Sequence, residues 1–156
     1  MSDGIFREIV QLQAGYCRAI DDDQLEAWPA FFTEDCHYRI TSAANYVVGH
    51  EAGIMSAFSR GMLVDRVSAL REANIYERQS YRHVIGQPEI EEEGKDGARA
   101  VTSFLVVRIM HGGATDLFAT GRYFDRYARI GDTLRIAERI VVCDSSRIHT
   151  LLALPL

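Results

Sequence analysis

The sequence predicts an α+β domain in which helices pack on one face of a curved antiparallel sheet. Apolar residues recur at steps of three and four in the first part of the chain. The later part consists of segments rich in β-branched and aromatic residues, separated by glycine-containing turns. Helices first and strands afterwards is the order of an α+β arrangement, not of an alternating parallel sheet.

Ile5, Ile9, Leu12, Tyr16 and Ile20 form one apolar stripe, which predicts an amphipathic helix. Asp21-Asp22-Asp23 is expected to end it and to cap a second helix holding Leu25, Trp28, Phe31 and Phe32. Pro29 falls in the first turns of that helix, where its missing donor does little harm. Cys36 to Thr41 reads as a short strand, Ser42 to His50 as a loop, and Glu51 to Leu70 as one helix or two broken around Gly61. Four strands are predicted from Tyr81 to Glu92, Ala98 to Met110, Asp116 to Ala128 and Leu134 to Asp144. The turns between them are Gly94 to Gly97, His111 to Ala114 and Gly131-Asp132. Val101 to Val107 alternates poorly, which predicts a central strand covered on both faces. The apolar end, Leu151 to Leu156, is expected to be buried.

The chain's 156 residues suit one domain spanning 1–156, large enough for a real core. A net charge of −5 argues against nucleic acid as the main partner. No segment has the uninterrupted apolar length of a membrane span, and the first residues lack the pattern of a signal peptide. Cys17, Cys36 and Cys143 are odd in number and widely spaced, so a disulfide framework is not expected. The composition fits a reduced, cytoplasmic protein.

Asp65 to His83 concentrates arginines, tyrosines and a histidine between a predicted helix and a predicted strand. Exposed ion pairs contribute only about 0–1 kcal/mol each. Arginine forks and tyrosines therefore count for most where water is excluded, at a subunit interface or in a buried network.

Several short motifs, in this order, carry a resemblance. They are Trp28 to Phe32 followed by Asp35-Cys36-His37-Tyr38, then Asp65-Arg66 with Leu70-Arg71, and Tyr76 before Tyr81-Arg82-His83. Gly121-Arg122-Tyr123 with Asp125 follows, and then Arg135 to Arg139 leading to Cys143-Asp144. The chain resembles the small (beta) subunits of aromatic-ring-hydroxylating dioxygenases, whose fold is the cystatin-like, nuclear-transport-factor-2-like (NTF2-like) cone.

The resemblance implies a non-catalytic structural subunit, partnered with a large (alpha) oxygenase subunit in an α3β3 hetero-hexamer. That partner would hold a Rieske [2Fe–2S] cluster and a mononuclear Fe(II). Electrons would come from NAD(P)H through a separate reductase. The parent complex would cis-dihydroxylate an aromatic carboxylate, terephthalate being the first expectation from the Leu70 to Arg78 stretch and the closing Leu152 to Leu156. On this reading Arg66, Arg71, Arg78, Tyr81, Arg82, His83, Arg122, Tyr123 and Asp125 are the candidate interface residues.

The metal ligands are not expected in this chain. A Rieske centre needs paired cysteine and histidine motifs, but Cys36 and His37 are adjacent and would leave a strand on opposite faces. His37, His50, His83, His111 and His149 show no spacing suited to a facial iron triad. A rival reading keeps catalysis here, because the same fold hosts isomerases and dehydratases. Tyr16 could polarise a carbonyl and His83 could move a proton. Aligning Asp35 to Ile40 with the isomerase pattern, however, puts Ile40 where the base carboxylate belongs. A free small-molecule-binding protein is the third reading. The plainer assignments are Tyr16 as a core residue, His83 as structural and the acidic run as caps.

Overall fold

A computed structural model gives the structure of the protein and describes residues 3–49, 53–73, 78–145, 147 and 154–156. Helix α1 (Asp3–Asp21) comes first, followed by a 3₁₀ helix (Leu25–Phe31) and strand β1 (Phe32–Ser42). A short helix α2 (Ala43–Val47), strand β2 (Met55–Ala57) and helix α3 (Arg60–Ala73) follow. The rest is strand: β3 (Gln79–Ile85), β4 (Glu89–Gly94), β5 (Gly97–Met110), β6 (Thr115–Ile130) and β7 (Thr133–Cys143).

The seven strands form one curved sheet in the order β2-β1-β7-β6-β5-β3, with β4 also paired to β5. The sheet is mixed, since β1 runs parallel to β7 and the other pairs are antiparallel. This parallel pair was invisible to a reading of local turns, because its strands lie at opposite ends of the sheet-forming sequence.

The predicted stripe of α1 holds. Ile5, Ile9, Tyr16 and Ile20 are buried, and Gln13 is buried among them. Full burial of such apolar side chains contributes about 1.5–3 kcal/mol each. The second helix is a 3₁₀ helix, and its N-cap is Gln24 with no side-chain cap bond. The acidic run is used otherwise: Asp21 reaches His83, and Asp23 adopts a left-handed φ of 57° and bonds Arg71.

Three further expectations change. Ser42 to His50 contains a helix whose N-cap is Ser42, its hydroxyl accepting from the Asn45 N–H at 3.2 Å. The stretch read as one or two helices begins instead with strand β2, which pairs with β1 and precedes α3. The segment from Tyr81 to Glu92 is two strands on one partner, with Ile85 opposite Phe104 and Glu89 opposite Val101. Gly86-Gln87-Pro88 separates them; proline has no donor for a ladder and breaks the strand.

β5 lies inside the sheet. Ala98, Ala100, Thr102, Phe104 and Val106 are buried on its concave face, whereas Val101, Leu105 and Val107 are only half-buried behind. At Gly121 any Cβ would run into the Val142 carbonyl of the neighbouring strand, which is why glycine stands there. Leu154, Pro155 and Leu156 are buried, while residues 151–153 lie outside the described residues.

Candidate functional site

The centre of the concave face is polar. Asp125 on β6 stands directly opposite Arg139 on β7. The guanidinium grips the carboxylate at two points, Nε to Oδ1 at 2.8 Å and Nη2 to Oδ2 at 2.7 Å, and both side chains are fully buried. The Tyr127 hydroxyl donates to Asp125 at 2.7 Å. The Gln13 amide donates to Tyr127 Oη and Thr102 Oγ1 at 2.9 and 3.0 Å, tying α1 to the sheet.

The Arg139 guanidinium sits over the rings of Tyr16 and Tyr123, 4.3 and 3.9 Å from their centroids. Burial opposes its charge, but the charge and hydrogen bonds of Asp125 hold its pKa well above the usual value. Burial pushes the Tyr16 hydroxyl up, only partly offset by the Arg139 charge. Tyr16 and Tyr38 both donate to the Leu156 carbonyl oxygen, at 2.6 and 2.9 Å, and the Leu156 N–H returns a bond to Tyr38 at 3.1 Å. A neutralised ion pair, enclosed by rings and stoppered by a chain segment, is built for holding shape.

A second group lies at the end of α1. His83 Nδ1 is 2.6 Å from Asp21 Oδ1, and the His83 backbone N–H donates to Asp21 Oδ2 at 2.9 Å. The imidazole is fully buried and Asp21 nearly so. This pair borders a cleft of about 520 Å³ between α1 and the β3–β4 turn. Tyr16, its supposed catalytic partner, does not line that cleft and spends its hydroxyl on Leu156. The two residues of the isomerase reading are thus not brought to one place. Ile40 is buried in the core.

The interface candidates divide by burial. Tyr81, His83, Tyr123 and Asp125 are in the chain's own interior, so their side chains are not surface contacts. The alternation of β3 explains it: Tyr81 and His83 face inward, and Ser80, Arg82 and Val84 outward. Arg66 is half-buried; Arg71, Arg78, Arg82 and Arg122 are exposed. Arg71 reaches back within the chain, to Glu26 at 2.7 Å and Asp23 at 2.8 Å, and so ties α3 to the 3₁₀ helix. Tyr76, His50 and His149 lie outside the described residues.

Sequence reasoning missed the pairing of Asp125 with Arg139 and of Asp21 with His83. Counting outward from the Gly131-Asp132 turn puts Asp125 opposite Glu138; a bulge between Arg126 and Tyr127 moves it opposite Arg139. The Asp21–His83 contact spans the whole first half of the fold and leaves no local signal.

Among the described residues no three His, Cys, Asp or Glu side chains converge as metal ligands. Burial pushes the thiols of Cys17 and Cys143 up to about 12 and that of Cys36 up to about 11, away from the thiolate form a metal requires. Among the described residues no helix is long and apolar enough to cross a membrane.

A SnoaL-like domain matches residues 6–140, so the helices and curved sheet belong to that class of fold. The terminal oxygenase component subunit beta 1 of terephthalate 1,2-dioxygenase from Comamonas sp. is 52% identical, covering 96% of this chain and 97% of its own length. The anthranilate 1,2-dioxygenase small subunit from Burkholderia cepacia is 38% identical, covering 96% and 92%. The crystal structure of an aromatic-ring-hydroxylating dioxygenase beta subunit from Novosphingobium aromaticivorans superposes with a TM-score of 0.89 at 37% identity, covering 97% and 96%. This chain belongs to the family of small (beta) subunits of aromatic-ring dioxygenases, components of oxidoreductase complexes that imply a partnering alpha subunit.

Proposed function

We propose that the chain, acting as one domain over residues 1–156, is the structural small subunit of an oxygenase that cis-dihydroxylates an aromatic carboxylate, terephthalate first. The observation that carries this is the 52% identity, over nearly the full length of both chains, to the terephthalate 1,2-dioxygenase beta subunit. In this reading the large subunit holds the Rieske [2Fe–2S] cluster and the mononuclear iron, which supply electron transfer and oxygen activation. NAD(P)H acts through a separate reductase, and the assembly is a cytoplasmic α3β3 hexamer. The small subunit contributes a rigid body and a docking face.

That face is best supported on the outside of the sheet. Arg82 and Val84 on β3, Leu105 and Val107 on β5, and Leu117 and Arg122 on β6 share it through the strand register. Val84 and Leu117 are 53% and 64% exposed, and Arg82 and Arg122 flank them. An apolar centre with arginine beside it is the composition of a protein interface. Arg71 and Arg78 line one cleft beyond the end of α3, and Arg66 stands earlier on that helix.

Co-purification with the large subunit tests the reading. The wild-type chain is expected to bring down a larger iron–sulfur protein and to elute with it as a hexamer. The double substitution Arg82→Glu with Arg122→Glu should release the small chain while its own circular dichroism stays unchanged. A double variant that still assembles fully removes the outer face from the interface. A chain that turns over a hydroxylated ring or ketone alone overturns the structural role.

A further inference from the structure

Directly paired residues of neighbouring strands share a face of the sheet, so the register lays out the outer face in rows. One row runs Glu92, Arg99, Arg126, Glu138 and His37, across β4, β5, β6, β7 and β1. Two arginines thus stand directly opposite each other in its middle, where like charges repel. The flanking carboxylates do little to relieve this. Glu138 is held by His37 Nδ1 at 3.1 Å, and the His37 ring is stacked on Phe58. Glu92 reaches Arg99 Nε only at 3.5 Å, with both side chains more than half exposed. Arg126 is exposed and makes no hydrogen bond or ion pair among the described residues.

The neighbouring row sets Val101 opposite Phe124. Phe124 is half-buried and stacked with the Tyr46 ring, 5.0 Å between centroids. The two guanidiniums therefore border an apolar floor, which continues along β5 and β6 to Leu105 and Arg122. In water the repulsion between them is screened and small. Beneath a docked partner the screening is lost, and a counter-charge seated between the two forks removes the penalty.

We propose that Arg99 and Arg126 together clasp one carboxylate, an aspartate or glutamate side chain of the large subunit. The clasp presupposes that the outer face docks that subunit, and it makes the partner's contact there acidic. Each guanidinium donates to the carboxylate, and Val101 and Phe124 keep water from its flank.

The affinity of the small chain for the large subunit that co-purifies with it is the measurement. Arg126→Ala and Arg99→Ala should each raise Kd at least about tenfold. The double substitution should raise it by clearly less than the product of the two, because both arginines hold one carboxylate. Each variant should keep the wild-type urea midpoint as an isolated chain. Arg126→Lys identifies the contact, since Lys95 is the one lysine in the sequence. A carbodiimide should then join position 126 to an Asp or Glu of the large subunit, located by mass spectrometry. Single variants that bind like wild type, effects that multiply, affinity lost only with a lowered urea midpoint, or a cross-link confined to the small chain would each overturn the clasp. If Arg82→Glu with Arg122→Glu still releases the small chain in those cases, the docking face stands and the clasp alone falls. If that double variant assembles fully, or no large subunit binds, both fall.

Discussion

The same residue type does two different jobs on the two faces of the sheet. Arg139, on the concave face, is fully buried, bidentate to Asp125 and covered by the rings of Tyr16 and Tyr123. Arg82 and Arg122, on the outer face, are exposed to water. Inside, the charge has nowhere to go if its partner is lost, so the pair locks the register of β6 against β7. Outside, each charge is screened and adds little to folding, which frees it for recognition. Composition alone cannot distinguish the two. Desolvation can.

The largest expected effect comes from breaking the inner pair. Asp125→Ala leaves the Arg139 guanidinium buried without a counter-charge and should destabilise the chain by about 3–5 kcal/mol, read from the urea midpoint. Arg122→Ala on the isolated chain should stay within about 0.5 kcal/mol of wild type. Equal losses from both substitutions would break the contrast between the faces.

Next in size is the link between the cone and Leu156. Tyr38→Phe removes the acceptor of the Leu156 N–H and one of the two donors to its carbonyl oxygen, which keeps Tyr16. Leaving the buried N–H unpaired should cost about 1–3 kcal/mol, visible as a lower Tm. A Tm equal to wild type would mean that the segment from Leu154 to Leu156 does not stopper the cone in solution.

Alkaline pH probes the same interior more gently. The buried thiols of Cys17 and Cys143, raised to about 12, keep their protons in the folded state where unfolded thiols lose them near 9. A raised folded pKa contributes stability that is present below the unfolded value and fades as pH rises towards the folded one. Stability should therefore fall as pH climbs from about 9 towards 12, and a thiol reagent at pH 8 should label these cysteines only on unfolding. Rapid labelling of the folded chain would show that the interior opens.

How much of this was legible follows from the range of the interactions. The α1 stripe, the glycine turns and the strands after Gly97 are local patterns, and the sequence displays them directly. Strand β2 is three residues long and helix α2 five, too short for any periodicity to register. Tyr81, His83, Tyr123 and Asp125 looked like surface anchors because arginines neighbour them. In a strand, though, adjacent residues face opposite ways, and these four face in while Arg82 and Arg122 face out. The Asp125–Arg139 register depends on a bulge that no residue type announces. The family resemblance supplied what local patterns could not, the order of motifs along the whole chain.

The smallest expected effect concerns Arg71, which looks engaged but is surface-bound. It bonds Glu26 at 2.7 and 3.1 Å, and holds Asp23 through both carboxylate and carbonyl at 2.8 Å, fixing that residue in its left-handed conformation. The hydrogen bond from Arg71 lowers the Glu26 pKa, so the pair's contribution is present above the unfolded carboxyl's value and lost as pH falls through the folded one. Glu26 is 65% exposed, and solvent screening limits the coupling in a double-mutant cycle of Arg71→Ala with Glu26→Gln to about 0.2–1 kcal/mol, vanishing at acid pH. A coupling above about 2 kcal/mol, unaffected by salt, would mean that this cluster behaves like the buried pair, since only desolvation lifts an ion pair to that size. The line between the two kinds of arginine would then run through α3 instead of along the sheet.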